Sequence, residues 1–378
     1  MSEFGQAVRH FWTLDWSATH LNHGSYGATP KPVLAAQDAV RQEMERTIGD
    51  FFNRQLPKRM RSAAAELAGY LGAETDDVVF VDNATAGMQS VIGSIELKPG
   101  DEILINDQTY NAVKNIARYE AARAGAKVIE VTFPFPVEDD GESIVDAFKA
   151  GLSPHTRLAL LDHITSATAV VMPVERLIAA AHDAGALVLV DGAHAPGQVD
   201  LDLAVLGADF YTGNCHKWLS APKGAAFLWA KRTHQPWIHP PVVSHGLGKG
   251  FIAEFDWTGT KDPSSYLAVP AALAFRQTFS DSRIKARNRA LADEAGCYLA
   301  ESWKTRLGSS ASLAGSMRMV ELPVKTGAAP DLRLKLWQDH RIDVPVNTLA
   351  DGIWVRISAQ LYNEMDDYRR LAAAIRNL

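Results

Sequence analysis

Short apolar, β-branched runs alternate with helical stretches over the first two-thirds of the chain. Val78-Val79-Phe80-Val81, Glu102–Ile105, Lys127–Val131, Arg157–Leu161, Leu187–Val190, Asp209–Thr212 and Ala225–Leu228 read as strands. Helical spacing falls between them at about Thr85–Ile95, Tyr110–Ala124 and Val174–Ala184. Strands that are apolar on both sides, separated by helices, predict an α/β protein with a mainly parallel sheet covered on both faces. Ligands of such sheets bind beyond the carboxyl ends of the strands. Two amphipathic helices, roughly Pro32–Asp50 and Pro57–Leu71, precede the first strand.

The rhythm then changes. Residues 234–263 are rich in Pro, Gly, His and Trp. A long helical stretch from Tyr266 follows, then a strand at Arg318–Leu322 and a helix at Asp331–His340. Strands near Ile342–Val346 and Ile353–Ile357 lead to a last helix at Glu364–Asn377. This mixture predicts a smaller α+β domain. The expected division is a large domain over 1–263 and a small one over 264–378. Residues 1–30 form a loop that reaches the small domain or an interface.

Composition narrows the function. The 378 residues are 47% hydrophobic and 22% charged, the balance of a globular chain. With 38 basic and 44 acidic residues, the net charge of −6 offers no basic field for nucleic acid. Two cysteines, Cys215 and Cys297, exclude a disulfide framework and fit a reducing compartment. The longest apolar run, Leu177 to Val190, is broken by His182 and Asp183, too short for a membrane span. Met1–Gly5 lacks the basic-then-apolar order of a signal peptide. The expectation is a soluble cytoplasmic protein without membrane contact.

Three motifs carry chemistry. Leu187-Val188-Leu189-Val190-Asp191 ends an apolar strand in an acid at the ligand-binding edge; taken alone, the acid reads equally well as a cap or turn residue. Thr212-Gly213-Asn214-Cys215-His216-Lys217-Trp218 sets a lysine just past another strand, where a solvated surface charge is the ordinary alternative. A strand-end Asp and a loop Lys suit pyridoxal phosphate (PLP), the Lys forming the Schiff base and the Asp holding the pyridine nitrogen protonated. Val81-Asp82-Asn83-Ala84-Thr85-Ala86-Gly87 supplies strand, small-residue turn and helix start, where free N–H groups receive a phosphate.

With those motifs in order, the chain resembles the class V aminotransferase family of fold-type I PLP enzymes, in its isopenicillin N epimerase-like branch. The matching stretches are Leu21–Gly27, Asn83–Gly87, Thr109–Val113, Asp191–Gln198, His216–Leu219, Phe255–Asp262 and Arg356–Ser358 through Tyr362–Asn363. The resemblance implies that Lys217 carries the cofactor, Asp191 partners the pyridine nitrogen and His194 lies near the phenolic oxygen. It places Tyr110 against the ring, and Ala84, Thr85, the backbone of Ala86 and His216 at the phosphate. Thr260 would complete the phosphate site of a second subunit, making a homodimer with the active site at the interface. Arg356 would clamp the substrate α-carboxylate, with Asn22, His23 and Tyr26 on the substrate side. Ala86 departs from the second hydroxyl residue that many relatives carry.

The implied reaction begins at the α-carbon of an amino acid, with Lys217 removing the proton. Epimerisation requires a second acid, Tyr26 or His23. A carbon–sulfur β-lyase acting on a cysteine conjugate or sulfoxide is the alternative, and a non-catalytic PLP or amino-acid binding module the third reading. Cysteine desulfurases of the family need a mobile Cys shortly before the carboxylate-binding Arg, and Val344–Trp354 contains none. Cys215 and Cys297 read as packing residues. Arg54 is a candidate for a distal substrate carboxylate, or else a surface residue. Gly246–Gly250 follows no strand, and His234, His239 and His245 are spaced for no shared helical face, so neither a nucleotide loop nor a metal is expected.

Overall fold

The computed structural model describes residues 3–324, 329–349 and 352–376. Its main sheet has seven strands: β1 (Val78–Val81), β2 (Glu102–Asn106), β3 (Lys127–Val131), β4 (Thr156–Asp162), β5 (Leu187–Asp191), β6 (Phe210–Asn214) and β7 (Ala226–Ala230). Their order across the sheet is β1-β7-β6-β5-β4-β2-β3. β7 runs antiparallel to both its neighbours, and the remaining pairs are parallel. The mainly parallel α/β sheet expected from the apolar runs is therefore present.

The central strands are largely apolar because their period of two feeds two separate cores, while the edge strand β3 exposes Lys127 and Glu130. Val79, Val81, Ile103, Ile105, Leu158, Leu160 and Leu189 face one side. There they meet α3 (Ala84–Ser94) and α4 (Asn111–Ala124) through Met88, Val91, Val113 and Ala117. Val78, Phe80, Leu104, Ala159, Leu161, Val188 and Val190 face the other. That side is covered by α2 (Leu56–Leu71), α5 (Glu142–Gly151) and α6 (Val174–Asp183). The first long helix, α1 (Lys31–Arg46), ends four residues before the predicted Asp50; Ile48–Asp50 and a π-helical turn at Phe51–Gln55 join it to α2. The α5 segment gave no element in the sequence reading.

The long stretch after Tyr266 is broken into Ser264–Leu267, Val269–Gln277 and α7 (Asp281–Trp303). A three-stranded antiparallel sheet of β8 (Met317–Glu321), β9 (Val346–Leu349) and β10 (Gly352–Ser358) packs with α7 and α9 (Met365–Arg376). The helix between, α8 (Ala329–His340), precedes a two-residue strand that pairs Ile342 with Thr19. Asn377, the expected end of the last helix, lies outside the described residues. The second core contains Leu21 and begins its C-terminal part at Leu291, whereas Val269, Ala272 and Phe275 pack in the first. Cys215 is buried as expected, but Cys297 is exposed on α7.

Candidate active site

The alternation that divides the strands between two cores aims the last residues of β4 and β5 to the same side. Asp162 and Asp191 are register partners, and both project on the α3 face at the carboxyl edge. Asp191 is 6% exposed and its Oδ1 accepts the Ala193 N–H at 2.9 Å. Burial raises its carboxyl, opposed by that N–H and by the charge of Lys217. Asp162 accepts from Asn106 Nδ2 at 3.3 Å. Burial, and then the charge of Asp191, push it up to about 8. Two buried carboxyls side by side do not both ionise at neutral pH, so the proton of the pair rests on Asp162.

The lysine turn is held from three directions. The Cys215 and His216 N–H groups both donate to the Ala225 carbonyl, at 3.0 and 3.1 Å. The buried Arg276, ion-paired with Asp281, donates to the carbonyls of Trp218 at 2.6 Å and Gly197 at 3.1 Å. From the N-terminal loop, His23 Nε2 lies 3.0 Å from the Lys217 carbonyl. That loop can approach only because Gly27 has φ +71° and no side chain; a Cβ there would lie 2.1 Å from the His216 carbonyl oxygen.

The Lys217 amine sits 3.2 Å from His194 Nε2. On the other edge of that imidazole, the Trp218 indole N–H donates to Nδ1 at 3.4 Å. An indole can only donate, so Nδ1 accepts and the neutral ring carries its proton on Nε2, where the uncharged Lys217 amine accepts it. Burial, followed by the charge of Lys217, holds His194 well below its ordinary value. Burial, and next the charge of Arg356, bring the Lys217 amine down to about 8. A buried amine with its pKa lowered toward neutrality is a usable nucleophile and base.

Across the cavity lies the start of α3. Asn83 caps it, accepting the Ala86 N–H at 2.9 Å, and Asn214 Oδ1 accepts the Ala84 N–H at 2.9 Å. Gly87 lets the helix sit on β6, since a Cβ would fall 2.2 Å from Thr212 Oγ1. Thr85 lines the cavity between the two engaged amides. His216 Nδ1 lies 3.0 Å from the Ala225 carbonyl and therefore donates to it. Burial pushes this imidazole down to about 4, so it is neutral.

These groups surround an inner cavity of about 390 Å³. Ser25, Tyr110 and Ser166 also line a larger outer cavity of about 730 Å³, in whose wall Arg356 stands. Arg356 is 5% exposed on β10. Its Nη1 donates to the Ser166 carbonyl and its Nη2 to Ser25 Oγ at 2.9 Å. Its Nε is buried without a partner, and no carboxylate pairs with it among the described residues. Burial lowers it to about 10, with a smaller push from Arg333. A buried guanidinium without an anion is costly unless a ligand supplies one.

The structure brings together Asp191, His194, His216, Lys217, Ala84, Thr85, Tyr110 and Tyr26 around the inner cavity. Tyr26 is 68% and Tyr110 48% exposed. Other expected residues stand elsewhere. His23 is buried, with Tyr362 Oη 3.0 Å from Nδ1 and Gln360 Nε2 2.9 Å from Nε2; burial lowers it to about 3. It lines neither cavity, and its ring supports the lysine turn instead of facing substrate. Asn22 is likewise spent on Asp343 and Ser25. Arg54 is exposed on the π-helical turn, paired with Asp50 and away from both cavities. Thr260 is exposed and lines neither cavity of its own chain.

Sequence reasoning missed Asp162, although Leu160-Leu161-Asp162 repeats the apolar-run-then-acid pattern of Asp191. It also missed Ser25 and Ser166, and Arg276 carries no local signal at all. Asp162→Asn is expected to flatten the pH dependence of folding. An acid whose folded pKa is raised gives stability that is complete below its unfolded value near 3.8 and is lost as pH climbs through about 8. Wild-type melting temperature should therefore fall between pH 5 and 8 by more than that of the variant. Parallel melting curves across that range would count against the assignment.

A raised acid, an amine poised beside a neutral imidazole, and an anion-seeking helix start fit PLP chemically, and Arg356 fits the carboxylate of an amino acid. Residues 28–371 match the family model described as aminotransferase class-V. The chain is 36% identical to a probable L-cysteine desulfhydrase, chloroplastic, of Arabidopsis thaliana, over 95% of this chain and 82% of that protein. It is 36% identical to isopenicillin N epimerase of Amycolatopsis lactamdurans, over 97% and 96%. A solved structure of a C-DES mutant with glycine covalently linked to its PLP cofactor superimposes with a TM-score of 0.81 at 21% identity, covering 97% of this chain and 98% of that one. With the matched region spanning most of the sequence, the chain belongs to the aminotransferase class-V family of PLP-dependent enzymes.

Proposed function

We propose that this enzyme acts at the α-carbon of an amino acid held between Lys217 and Arg356, in the manner of isopenicillin N epimerase. The observation that carries the proposal is the buried guanidinium of Arg356, paired with no carboxylate among the described residues, in the cavity next to the lysine. PLP, when bound, supplies an electron sink for the pair left at the α-carbon. Lys217 would hold its aldehyde through the side-chain amine, and that amine is the base placed to take the α-proton. Asp191 keeps its negative charge beside the protonated Asp162 and stabilises a cationic ring nitrogen. His194, with its proton on Nε2, would be a hydrogen-bond donor to the cofactor beside the lysine. Thr85 and His216 hold the phosphate; the N–H groups of Ala84 and Ala86 are already engaged. Tyr110 offers an aromatic face at the cavity mouth.

Thr260, exposed and apart from its own cavities, is assigned to the site of a second copy. The assembly is then a homodimer. No described helix is long and apolar enough to cross a membrane, and a cytoplasmic location belongs to this proposal. The division of the chain into domains at 263/264 belongs to this proposal; the C-terminal part of the second core starts at Leu291, and Leu21 joins it from the N-terminal loop.

Return of a proton to the opposite face needs a second acid. His23 is buried and engaged, which leaves Tyr26 for that role. Tyr26→Phe is expected to lower inversion of an amino acid by about 10²-fold or more, while α-proton exchange with solvent continues from one face. Chiral chromatography beside deuterium exchange in D₂O measures both. Equal loss of the two would remove Tyr26 from this role.

A second reading, β-elimination from a sulfur-bearing amino acid, is supported by the relatives named L-cysteine desulfhydrase. Pyruvate, ammonia and chiral product analysis on one sample separates the readings. Inverted amino acid supports the first, pyruvate the second, and neither product from any amino acid overturns both.

A further inference from the structure

One short relay of side chains aims the Arg356 guanidinium, starting in the cavity wall and ending outside it. Arg356 Nη2 donates to Ser25 Oγ at 2.9 Å, the Ser25 hydroxyl donates to Asn22 Oδ1, and Asn22 Nδ2 donates to Asp343 Oδ1 at 3.1 Å. Ser25 lines both cavities, whereas Asn22 is 6% exposed and lines neither. Asn22 therefore meets no ligand directly. Whatever it does for the site passes through Ser25.

The direction of the relay follows from its far end. A carboxylate only accepts, so Asp343 turns the Asn22 amide with Nδ2 toward itself and Oδ1 toward Ser25. Asn22 Oδ1 then claims the single proton of the Ser25 hydroxyl, which leaves Ser25 Oγ only lone pairs to offer Arg356. Without Asn22 the hydroxyl proton is free to turn, and Nη2 loses a fixed acceptor. Each bond in the run donates toward Asp343, and such runs strengthen one another. The backbone keeps both ends in place. The Leu21 N–H donates to the Asp343 carbonyl at 2.9 Å and the Ser358 N–H to the Leu21 carbonyl at 3.0 Å. The Gly24 N–H donates to Ser358 Oγ at 3.2 Å, two residues beyond Arg356 on β10.

We propose that Asn22 and Asp343 are positioning residues for the α-carboxylate clamp: Asp343 orients Asn22, Asn22 orients the Ser25 hydroxyl, and Ser25 fixes the Nη2 edge of Arg356. This rests on the reading of Arg356 in the proposed function and deepens it. The N-terminal loop then serves both ends of the amino acid. His23 braces the lysine turn, with Nε2 3.0 Å from the Lys217 carbonyl, and the neighbouring Asn22 braces the guanidinium. A guanidinium held in one plane meets a carboxylate at a lower entropic cost than one that must first be ordered.

The test is a binding titration of the holoenzyme, read by the change in cofactor absorbance and not by turnover. The probes are L-alanine and L-alaninamide, which differ only in the carboxylate. Asn22→Ala is expected to weaken L-alanine about fivefold, the worth of one neutral hydrogen bond, and to leave L-alaninamide unchanged. In an Arg356→Gln background the same change should add no further loss. Asp343→Leu should weaken L-alanine as Asn22→Ala does, while Asp343→Asn, which keeps an acceptor for Nδ2, should bind it as wild type does. Unchanged L-alanine binding in Asn22→Ala overturns this inference alone. So does an equal loss for both probes, or a further loss in the Arg356→Gln background, since either makes Asn22 a brace of the fold. Should Asn22→Ala fail to fold, equal binding of L-alanine by the two Asp343 variants is the overturning result. Wild type that binds L-alanine no tighter than L-alaninamide overturns the clamp reading of Arg356, and this inference with it.

Discussion

Lys217→Ala is expected to lower turnover by about 10⁴-fold or more, because one change removes both the cofactor's attachment point and the base at the α-carbon. The visible absorbance of the holoenzyme should be lost with it, and the variant should release cofactor on gel filtration. Folding should not suffer. The amine is buried beside an imidazole and is charged at a cost, which is why its pKa falls to about 8. Its removal relieves that desolvation, so the melting temperature of the apoenzyme should be unchanged or higher. Small primary amines added to the variant should restore part of the proton transfer, since the space vacated adjoins the inner cavity. A variant that keeps its colour and its turnover would refute the role given to this lysine.

Arg356→Gln is the second large effect, and it separates binding from stability. Truncating one member of a buried, hydrogen-bonded charge pair costs about 2–5 kcal/mol. Since the partner here is the substrate, kcat/KM should fall by about 10²- to 10³-fold, mainly through KM. Stability should move the other way or not at all. The guanidinium is desolvated, its Nε has no partner, and it meets no carboxylate in the described chain. Exchange for a neutral amide removes an uncompensated charge while retaining a donor for Ser25 or the Ser166 carbonyl. Thermal melting beside steady-state kinetics checks both limbs. A fall of many degrees with little change in KM would mean that Arg356 braces β10 instead of receiving substrate.

The two variants also distinguish the inner and outer parts of the site. Loss of Lys217 should abolish the cofactor signal whatever amino acid is offered. Loss of Arg356 should leave that signal and weaken every α-carboxylate alike.

Much of this arrangement is legible in the sequence because it is local. An apolar run closed by Asp191, a lysine three residues past a strand, and a small-residue turn opening a helix are each written in consecutive residues. The strands are legible for the same reason: burial on both faces removes polar alternation from all but the edge strand β3, and the turns between them are rich in Gly, Pro and Asp. The second half of the chain is less readable. Ser280, at φ +63°, and the short turns near it break what reads as one helix, and Pro345 divides what reads as one strand.

The strand-end acid, the lysine turn and the helix start, and with them the family and its cofactor, were determined by sequence alone. Tertiary structure decided which of the polar residues near them face the cavity. His23 stands two residues from Ser25, yet one ring is consumed by Tyr362 and Gln360 while the other side chain reaches Arg356. Asp162 becomes part of the site only because β4 and β5 pair in a register that sets it beside Asp191. Arg276 reaches the lysine turn from a helix nearly sixty residues downstream. The physical reason is common to all three. Burial and partner choice depend on which distant segments pack together, and a side chain's pKa, tautomer and direction follow from those partners rather than from its neighbours in the chain.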